Sequence, residues 1–103
     1  DYSGMTHVEE LIYGIPRKSE LFQSCPNPFN LTTIIEYYIP KSAYTTIIIY
    51  NLLGQKVTTL VSEQQLPGYH QVRWNASGLQ SGIYIYRLNA GNYSKTKKCL
   101  LLK

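Results

Sequence analysis

Residues 83–102 read IYIYRLNAGNYSKTKKCLLL, two stretches of strand-forming residues joined by a Gly-Asn pair. Over residues 83–90 the side chains alternate, a period of two that is typical of a strand with one buried face. Gly91-Asn92 is a tight-turn signal, so residues 93–102 are expected to return antiparallel to the preceding strand. The quoted stretch therefore predicts a β-hairpin.

Strand patterns continue upstream of this hairpin. Residues 44–51 are nearly all apolar or β-branched, which favours a strand covered on both faces. The full set of expected upstream strands is 21–25, 32–39, 44–51, 56–62 and 68–74. About seven short strands with frequent turn signals indicate a sandwich rather than βαβ units. The predicted fold is all-β, an Ig-like antiparallel β-sandwich.

The first 20 residues differ from the rest and are expected to form an N-terminal arm or linker. They contain apolar side chains but end in a breaker run with Gly14 and Pro16. The pattern is too short to choose between a helical turn and an extended arm. The sandwich is assigned to residues 21–103, because a chain of 103 residues has room for a single core.

The charge pattern limits the classes of partner. The net charge is +4, yet Lys and Arg are scattered except near the C-terminus, whereas nucleic-acid binders gather them on one face. No window approaches the ~18 apolar residues of a membrane span. The sequence starts at Asp1 without a signal peptide, which predicts a processed product or a part of a longer protein.

The sequence offers little material for catalysis. Asp1 is the single Asp, and His7 and His70 are the two His. No Cys-x-x-Cys spacing and no glycine-rich phosphate loop occurs. Neither a nucleophile–base pair nor a metal set can be assembled from these residues. A non-enzymatic module without cofactor or metal is expected.

Several motif residues have structural explanations. Pro26 and Pro28 would stiffen the entry into the sandwich. Trp74 is the expected central core aromatic. The GIYIY stretch at residues 82–86 resembles a tyrosine corner, in which a buried ring bonds nearby backbone through its hydroxyl. Three Asn-x-Ser/Thr sequons, at Asn30, Asn75 and Asn92, fit turns in which Asn is expected anyway.

An ordered series of motifs resembles the C-terminal sorting domain of proteins exported by the type IX secretion system. The motifs are PNPFN at 26–30, YNLLGQKV at 50–57, GYHQVRW at 68–74, SGIYIYRL at 81–88 and KCLLLK at 98–103. The expected sandwich also resembles the Ig-like domain of flagellar hook-capping proteins. Because one fold can serve several functions, the resemblance predicts the fold better than it predicts the function.

The resemblance implies a C-terminal address that crosses the outer membrane through a secretion translocon. It implies further that a sortase removes the domain and attaches the cargo to surface lipopolysaccharide. The expected location is extracellular or on the outer cell surface, after export through the periplasm. Recognition in this family is placed in the terminal strand and its Lys-rich end, here Lys95, Lys97, Lys98 and Lys103.

The two cysteines depart from the family pattern, which has an aromatic residue at Cys25 and an apolar residue at Cys99. Two Cys in a small extracellular chain favour a disulfide, and terminal strands of Ig-like sandwiches often run side by side. The bond would close a loop of roughly 74 residues and contribute about 4 kcal/mol. The alternative is two buried thiols that act as small apolar side chains.

A second functional hypothesis is a structural subunit of an extracellular filament or surface assembly. An apolar arm could add a strand to the sheet edge of a neighbouring subunit, and a head-to-tail contact that does not close produces a filament. The rival explanation is an arm that folds back on its own sandwich. The candidate contact residues are Val8, Leu11, Ile12, Tyr13 and Ile15.

Overall fold

The computed structural model describes residues 18–24 and 26–103, and these form an all-β fold. The strands are β1 Glu20–Leu21, β2 Thr32–Ile39, β3 Ala43–Tyr50, β4 Lys56–Gln65, β5 Gly68–Asn75, β6 Gly82–Ala90 and β7 Tyr93–Leu101. They form a three-stranded sheet in the order β1-β2-β5 and a four-stranded sheet in the order β4-β3-β6-β7. Every neighbouring pair of strands is antiparallel. The predicted fold class is confirmed.

The core lies between the two sheets and follows the period of two. β2 alternates between half-buried and buried residues along its whole length, and β6 buries every second side chain from Tyr84 to Ala90. Because each strand presents one apolar face, two such sheets remove those faces from water by stacking. The largest fully buried side chains are Trp74, Tyr37, Tyr86, Ile35, Ile39, Ile47, Ile49, Leu88 and Leu101.

The expectation that residues 44–51 are covered on both faces is wrong. The inward side chains of β3, such as Ile47 and Ile49, are fully buried, whereas Ile48 and Tyr50 on the other face stay partly exposed. Neighbouring strands of the same sheet provide the partial cover, and the Arg87 guanidinium lies 5.5 Å from the centre of the Tyr50 ring. Within residues 18–24 and 26–103, no third layer covers this outer face.

The expected strand at residues 21–25 is also wrong in its extent. β1 comprises only Glu20–Leu21, which pair with Tyr38 and Tyr37 of β2. Residues 22–24 continue without a ladder of their own. The chain then crosses toward the other sheet, where Phe29 forms a parallel bridge with Leu101 of β7. Strand β4 is longer than expected and ends at Gln65 rather than at residue 62.

Turn chemistry explains the β3–β4 connection. The Asn51 side-chain oxygen accepts hydrogen bonds from the backbone N–H groups of Leu53 and Gln55. Gly54 has φ of 82°, a conformation that glycine adopts without strain. An Asn side chain that replaces a backbone acceptor is a common way to close such a turn. Residues 52–55 therefore form the turn between β3 and β4.

Candidate functional site: the terminal strand and its partner segment

The crossing segment, defined as residues 26–30, is hydrogen-bonded to the end of β7. The Phe29 N–H donates to the Leu100 carbonyl over 2.9 Å, and the Leu102 N–H donates to the Phe29 carbonyl over 2.9 Å. The Leu100 N–H donates to the Asn27 side-chain oxygen over 2.8 Å. Pro26 and Pro28 have no N–H, so the backbone of Phe29 and the side chain of Asn27 make the pairing. The PNPFN motif therefore holds the terminal strand.

An aromatic cluster lies beneath this junction. The Phe29 ring packs on Trp74 with ring centres 5.2 Å apart, and Trp74 meets Tyr84 edge-on at 5.5 Å. The Tyr84 hydroxyl donates to the Gln80 carbonyl over 2.7 Å. This bond to backbone four residues upstream is the geometry of a tyrosine corner. The structural explanations proposed for Trp74 and for residues 82–86 are confirmed.

Tyr86 anchors the chain upstream of the crossing segment. Its hydroxyl accepts a hydrogen bond from the Ser24 N–H over 2.7 Å and donates to the Phe22 carbonyl over 2.8 Å. The side chain is fully buried, and burial raises the pKa of Tyr86 to about 12. A buried hydroxyl that satisfies two backbone groups fixes their position, since leaving either group unpaired costs about 1–3 kcal/mol.

Cys99 points into the core from β7. It is a free thiol, only 2% exposed, and its S–H group faces the Tyr84 carbonyl at 3.7 Å. Burial raises the pKa of the Cys99 thiol to about 12, so the reactive thiolate is scarce at neutral pH. Cys25 lies outside the described residues, although its neighbour Ser24 bonds to Tyr86. The expected Cys25–Cys99 disulfide is not found, since Cys99 is a free thiol, and Cys99 fits the alternative of a buried thiol that acts as a small apolar side chain.

These two raised pKa values predict a loss of stability in alkali. An unfolded chain ionises its Cys near pH 9 and its Tyr near pH 10, whereas the folded chain holds both protons until about pH 12. The contribution is therefore complete below pH 9 and disappears as the pH rises toward 12. Tyr86 accounts for about 3 kcal/mol of the total decrease in the free energy of unfolding. Urea unfolding followed by circular dichroism between pH 7 and 11 should record about half of that share, since the folded Tyr86 itself ionises only near pH 12.

Cys99→Ala provides the control for this pH profile. It should remove the part of the decrease that begins near pH 9. It should retain the part above pH 10, which Tyr86 causes together with Tyr37, Tyr69 and Tyr93, because burial raises the pKa of these tyrosines as well. A wild-type profile that stays flat to pH 11 would contradict the assignment of both groups.

The four lysines predicted as recognition residues do not share one surface. Lys95 and Lys97 pair with Leu88 and Tyr86, which places them on the core-facing side of β7, at the rim of the sandwich. Lys98 lies on the opposite face. Lys103 follows the end of the strand, and its backbone N–H donates to the Ser81 hydroxyl over 3.0 Å. The lysines therefore surround the strand rather than form one patch.

Side-chain hydrogen bonds at this junction were not found by sequence reasoning. The Gln23 side-chain nitrogen donates to the Lys98 carbonyl over 2.7 Å. The Asn27 side-chain oxygen accepts from the Leu100 N–H, as described above. Both contacts join residues more than 70 positions apart. The one signal in the sequence is the position of Asn27 between two prolines, which leaves its side chain as the available polar group.

Among residues 18–24 and 26–103, no group of three or more His, Cys, Asp or Glu could hold a metal ion. His70 stacks on the Tyr37 ring at 5.3 Å, and its Nε2 lies 2.7 Å from the Leu66 carbonyl. A cavity of about 330 Å³ opens at the other end of the sandwich, between Ser19, Pro40 and Tyr93. It gathers no pair of acid and base.

The arm residues Val8, Leu11, Ile12, Tyr13 and Ile15 lie outside the described residues. Within the described part, no helix has the length and apolar character that a bilayer crossing requires. The side chains of Asn30, Asn75 and Asn92 are exposed.

Comparison with known families gives one match. The model of the secretion system C-terminal sorting domain matches residues 25–102, well over half of the 103-residue chain. The matched region begins just before the crossing segment and ends just after β7. No individual curated protein matches the chain significantly.

Proposed function

Because the chain belongs to the family of secretion system C-terminal sorting domains, we propose that it directs an attached protein through type IX secretion to the cell surface. The family match is the observation that carries this proposal, since it covers the crossing segment and strands β2 to β7. The partners would be the components of the secretion machinery that receive the domain, including a translocon and a sortase.

The geometry of the junction supports a role as a targeting signal that is recognised in its folded state. Four of the five motifs that resemble the sorting family contain residues that join the crossing segment to β7 or that build the aromatic cluster below it. The family consists of sorting signals rather than enzymes, and we extend this to the chain as a module without catalytic activity. The destination would be the outer cell surface or the extracellular space.

The filament hypothesis stays a prediction. Its candidate contacts fall on residues 8–15, outside the described part of the chain, and the family match gives it no support. The division into an arm at 1–20 and a domain at 21–103 is likewise proposed rather than tested. Glu20 pairs with Tyr38 one residue before that boundary.

A reporter fusion tests the sorting proposal. A fluorescent or enzymatic reporter with a periplasmic signal peptide at its start and residues 1–103 at its end is expressed in a host that has type IX secretion. Most of the reporter should reach the cell surface or medium, because the domain supplies the address. The reporter without the domain, and the fusion in a translocon-deficient host, should stay in the periplasm. Equal retention of all three would refute the proposal.

A further inference from the structure

Strand β7 is an edge strand whose outer edge is only half covered. The N–H and C=O groups of residues 98, 100 and 102 point away from β6, because they are the groups that bond to Gln23, Asn27 and Phe29. The β6–β7 register runs without a shift from Tyr93 to Leu101. By the period of two, the backbone groups of Ser94 and Thr96 point to the same side.

These groups of Ser94 and Thr96 have no partner strand in the described part of the chain. The crossing segment reaches only the last residues of β7. β1 belongs to the other sheet and contacts β7 at its start, where the Leu21 backbone is hydrogen-bonded to the Tyr93 hydroxyl. An edge of this kind is a template for one more strand. The opposite edge of the same sheet is less suitable, since β4 has two register shifts against β3, and bulges disrupt strand addition.

Charge determines which strand could be added. Lys95, Lys97 and Lys98 flank the open part of the edge, and residues 64–103 contain six Lys and Arg residues but no Asp or Glu. Of the three Glu residues in the described part, Glu36 lies in β2 and Glu63 in β4; Glu20 lies in β1, near Tyr93 at the start of β7. A second copy of β7 would place lysines against lysines, and like charges on paired strands are destabilising. An acidic strand would place carboxylates there instead.

We propose that the open edge of β7 at residues 94–96 binds an extended, acidic segment of another protein by strand addition. This inference rests on the proposed function and specifies how a receiving component of the secretion machinery would hold the domain. Main-chain hydrogen bonds to Ser94 and Thr96 supply the affinity, and the flanking lysines select for carboxylates. The same lysines oppose pairing between two copies of β7, because like charges would face each other. One edge therefore attracts an acidic strand and excludes a second β7.

The test uses the full chain, labelled for amide detection by NMR, and a peptide of about eight alternating Glu and Thr residues with blocked ends. Saturating peptide should slow hydrogen exchange of the Ser94 and Thr96 N–H groups by about tenfold or more. Their shift changes should weaken as salt is added, because salt screens exposed charges. The matched control peptide, which has Lys in place of Glu, should leave both amides unchanged.

Two pairs of variants make the test specific. Thr96→Pro removes an outward N–H without removing a bond to β6, and should abolish binding of the acidic peptide, whereas Thr96→Ala should retain it. Replacing the exposed Lys95 and Lys98 with Glu should weaken binding at least about tenfold, whereas Lys56→Glu, at the far edge of the sheet, should have little effect.

Several outcomes would overturn the inference. They are equal effects of the two peptides, wild-type binding by Thr96→Pro, strong protection of Ser94 and Thr96 before peptide is added, and binding only to vesicles of anionic phosphatidylglycerol. In the reporter fusion, export of wild type and Thr96→Pro alike would refute the strand-addition site while the sorting function stands. Failure of the wild-type fusion would refute the sorting function and leave the peptide result to be judged by itself.

Discussion

Replacing Trp74 with alanine should lower the free energy of unfolding by about 3–5 kcal/mol, as deletion of a fully packed core aromatic does. The Trp74 side chain is 2% exposed and packs against Phe29 and Tyr84. The vacated volume cannot be filled by small movements, because both neighbours are themselves fixed by hydrogen bonds, Phe29 to β7 and Tyr84 to Gln80. The midpoint of thermal unfolding should fall by about 15 °C or more.

Far-UV circular dichroism during thermal and urea unfolding measures this change, since the variant lacks the single Trp that fluorescence would use. Trp74→Phe should lose less, because a smaller aromatic ring still fills part of the volume. Leu53→Ala is the surface control, since Leu53 is 83% exposed, and it should change the stability by no more than about 0.5 kcal/mol. A loss below about 1 kcal/mol for Trp74→Ala would show that the aromatic cluster does not support the junction.

Most strands of this fold could be predicted because their information is local. Alternation in β2, β5 and β6 identifies the buried face of each strand, and Asn51, Gly54 and Gly91 identify turns. The tyrosine corner could also be anticipated, since Tyr84 bonds to backbone only four residues away. Where residue type and spacing decide the conformation, the sequence alone is sufficient.

The wrong predictions, the extent of β1 and the burial of the outer face of β3, concern features that residues distant in sequence determine. The length of β1 depends on where the chain leaves β2 for β7, and that point is fixed by contacts such as those of Tyr86 with Phe22 and Ser24. The alternation of side chains does not show that Tyr86, rather than Tyr84, accepts a hydrogen bond from a backbone N–H group more than 60 residues away. The outer face of β3 was misjudged for a related reason. Apolar side chains predict burial, but they do not show that neighbours such as Arg87 provide the cover.

The same limit applies to the candidate site. The lysines near the C-terminus were found by composition, but their distribution around β7 follows from register, with Lys95 and Lys97 on one face and Lys98 on the other. The open backbone edge at Ser94 and Thr96 has no sequence signal at all. It exists because the crossing segment ends its pairing at the last residues of β7.

Deleting residues 99–103 should unfold the domain as well as remove its terminal sequence. The deletion takes two buried side chains, Cys99 and Leu101, out of the core. It also removes the carbonyl that accepts from Phe29 and the N–H groups that bond Phe29 and Asn27. Loss of a buried Leu alone costs about 2–5 kcal/mol, and the total stability of a domain this size is about 5–15 kcal/mol. Circular dichroism and a dispersed amide spectrum report whether the fold survives.

Export measurements on this deletion can then be separated into recognition and folding. Lys103→Ala is the matched control, because it removes the terminal charge and keeps the backbone bond to Ser81. We expect Lys103→Ala to remain folded and the deletion to be mostly unfolded. A deletion variant that keeps a cooperative unfolding transition would contradict the structural role assigned to the end of β7.

The Trp74→Ala fusion completes this comparison, since it weakens the fold while its terminal residues stay intact. Export is compared at a temperature at which circular dichroism shows Trp74→Ala to be largely unfolded and the wild type to be folded. If the secretion machinery binds the open edge of the folded sandwich, export should then decrease for both the deletion and Trp74→Ala, in proportion to the folded fraction. If the machinery instead reads the last residues as a linear signal, Trp74→Ala should be exported like wild type and the deletion should not. The first result is the one that the hydrogen-bonded junction predicts, because β7 presents a defined edge only while Phe29 and Asn27 hold its end in the sheet.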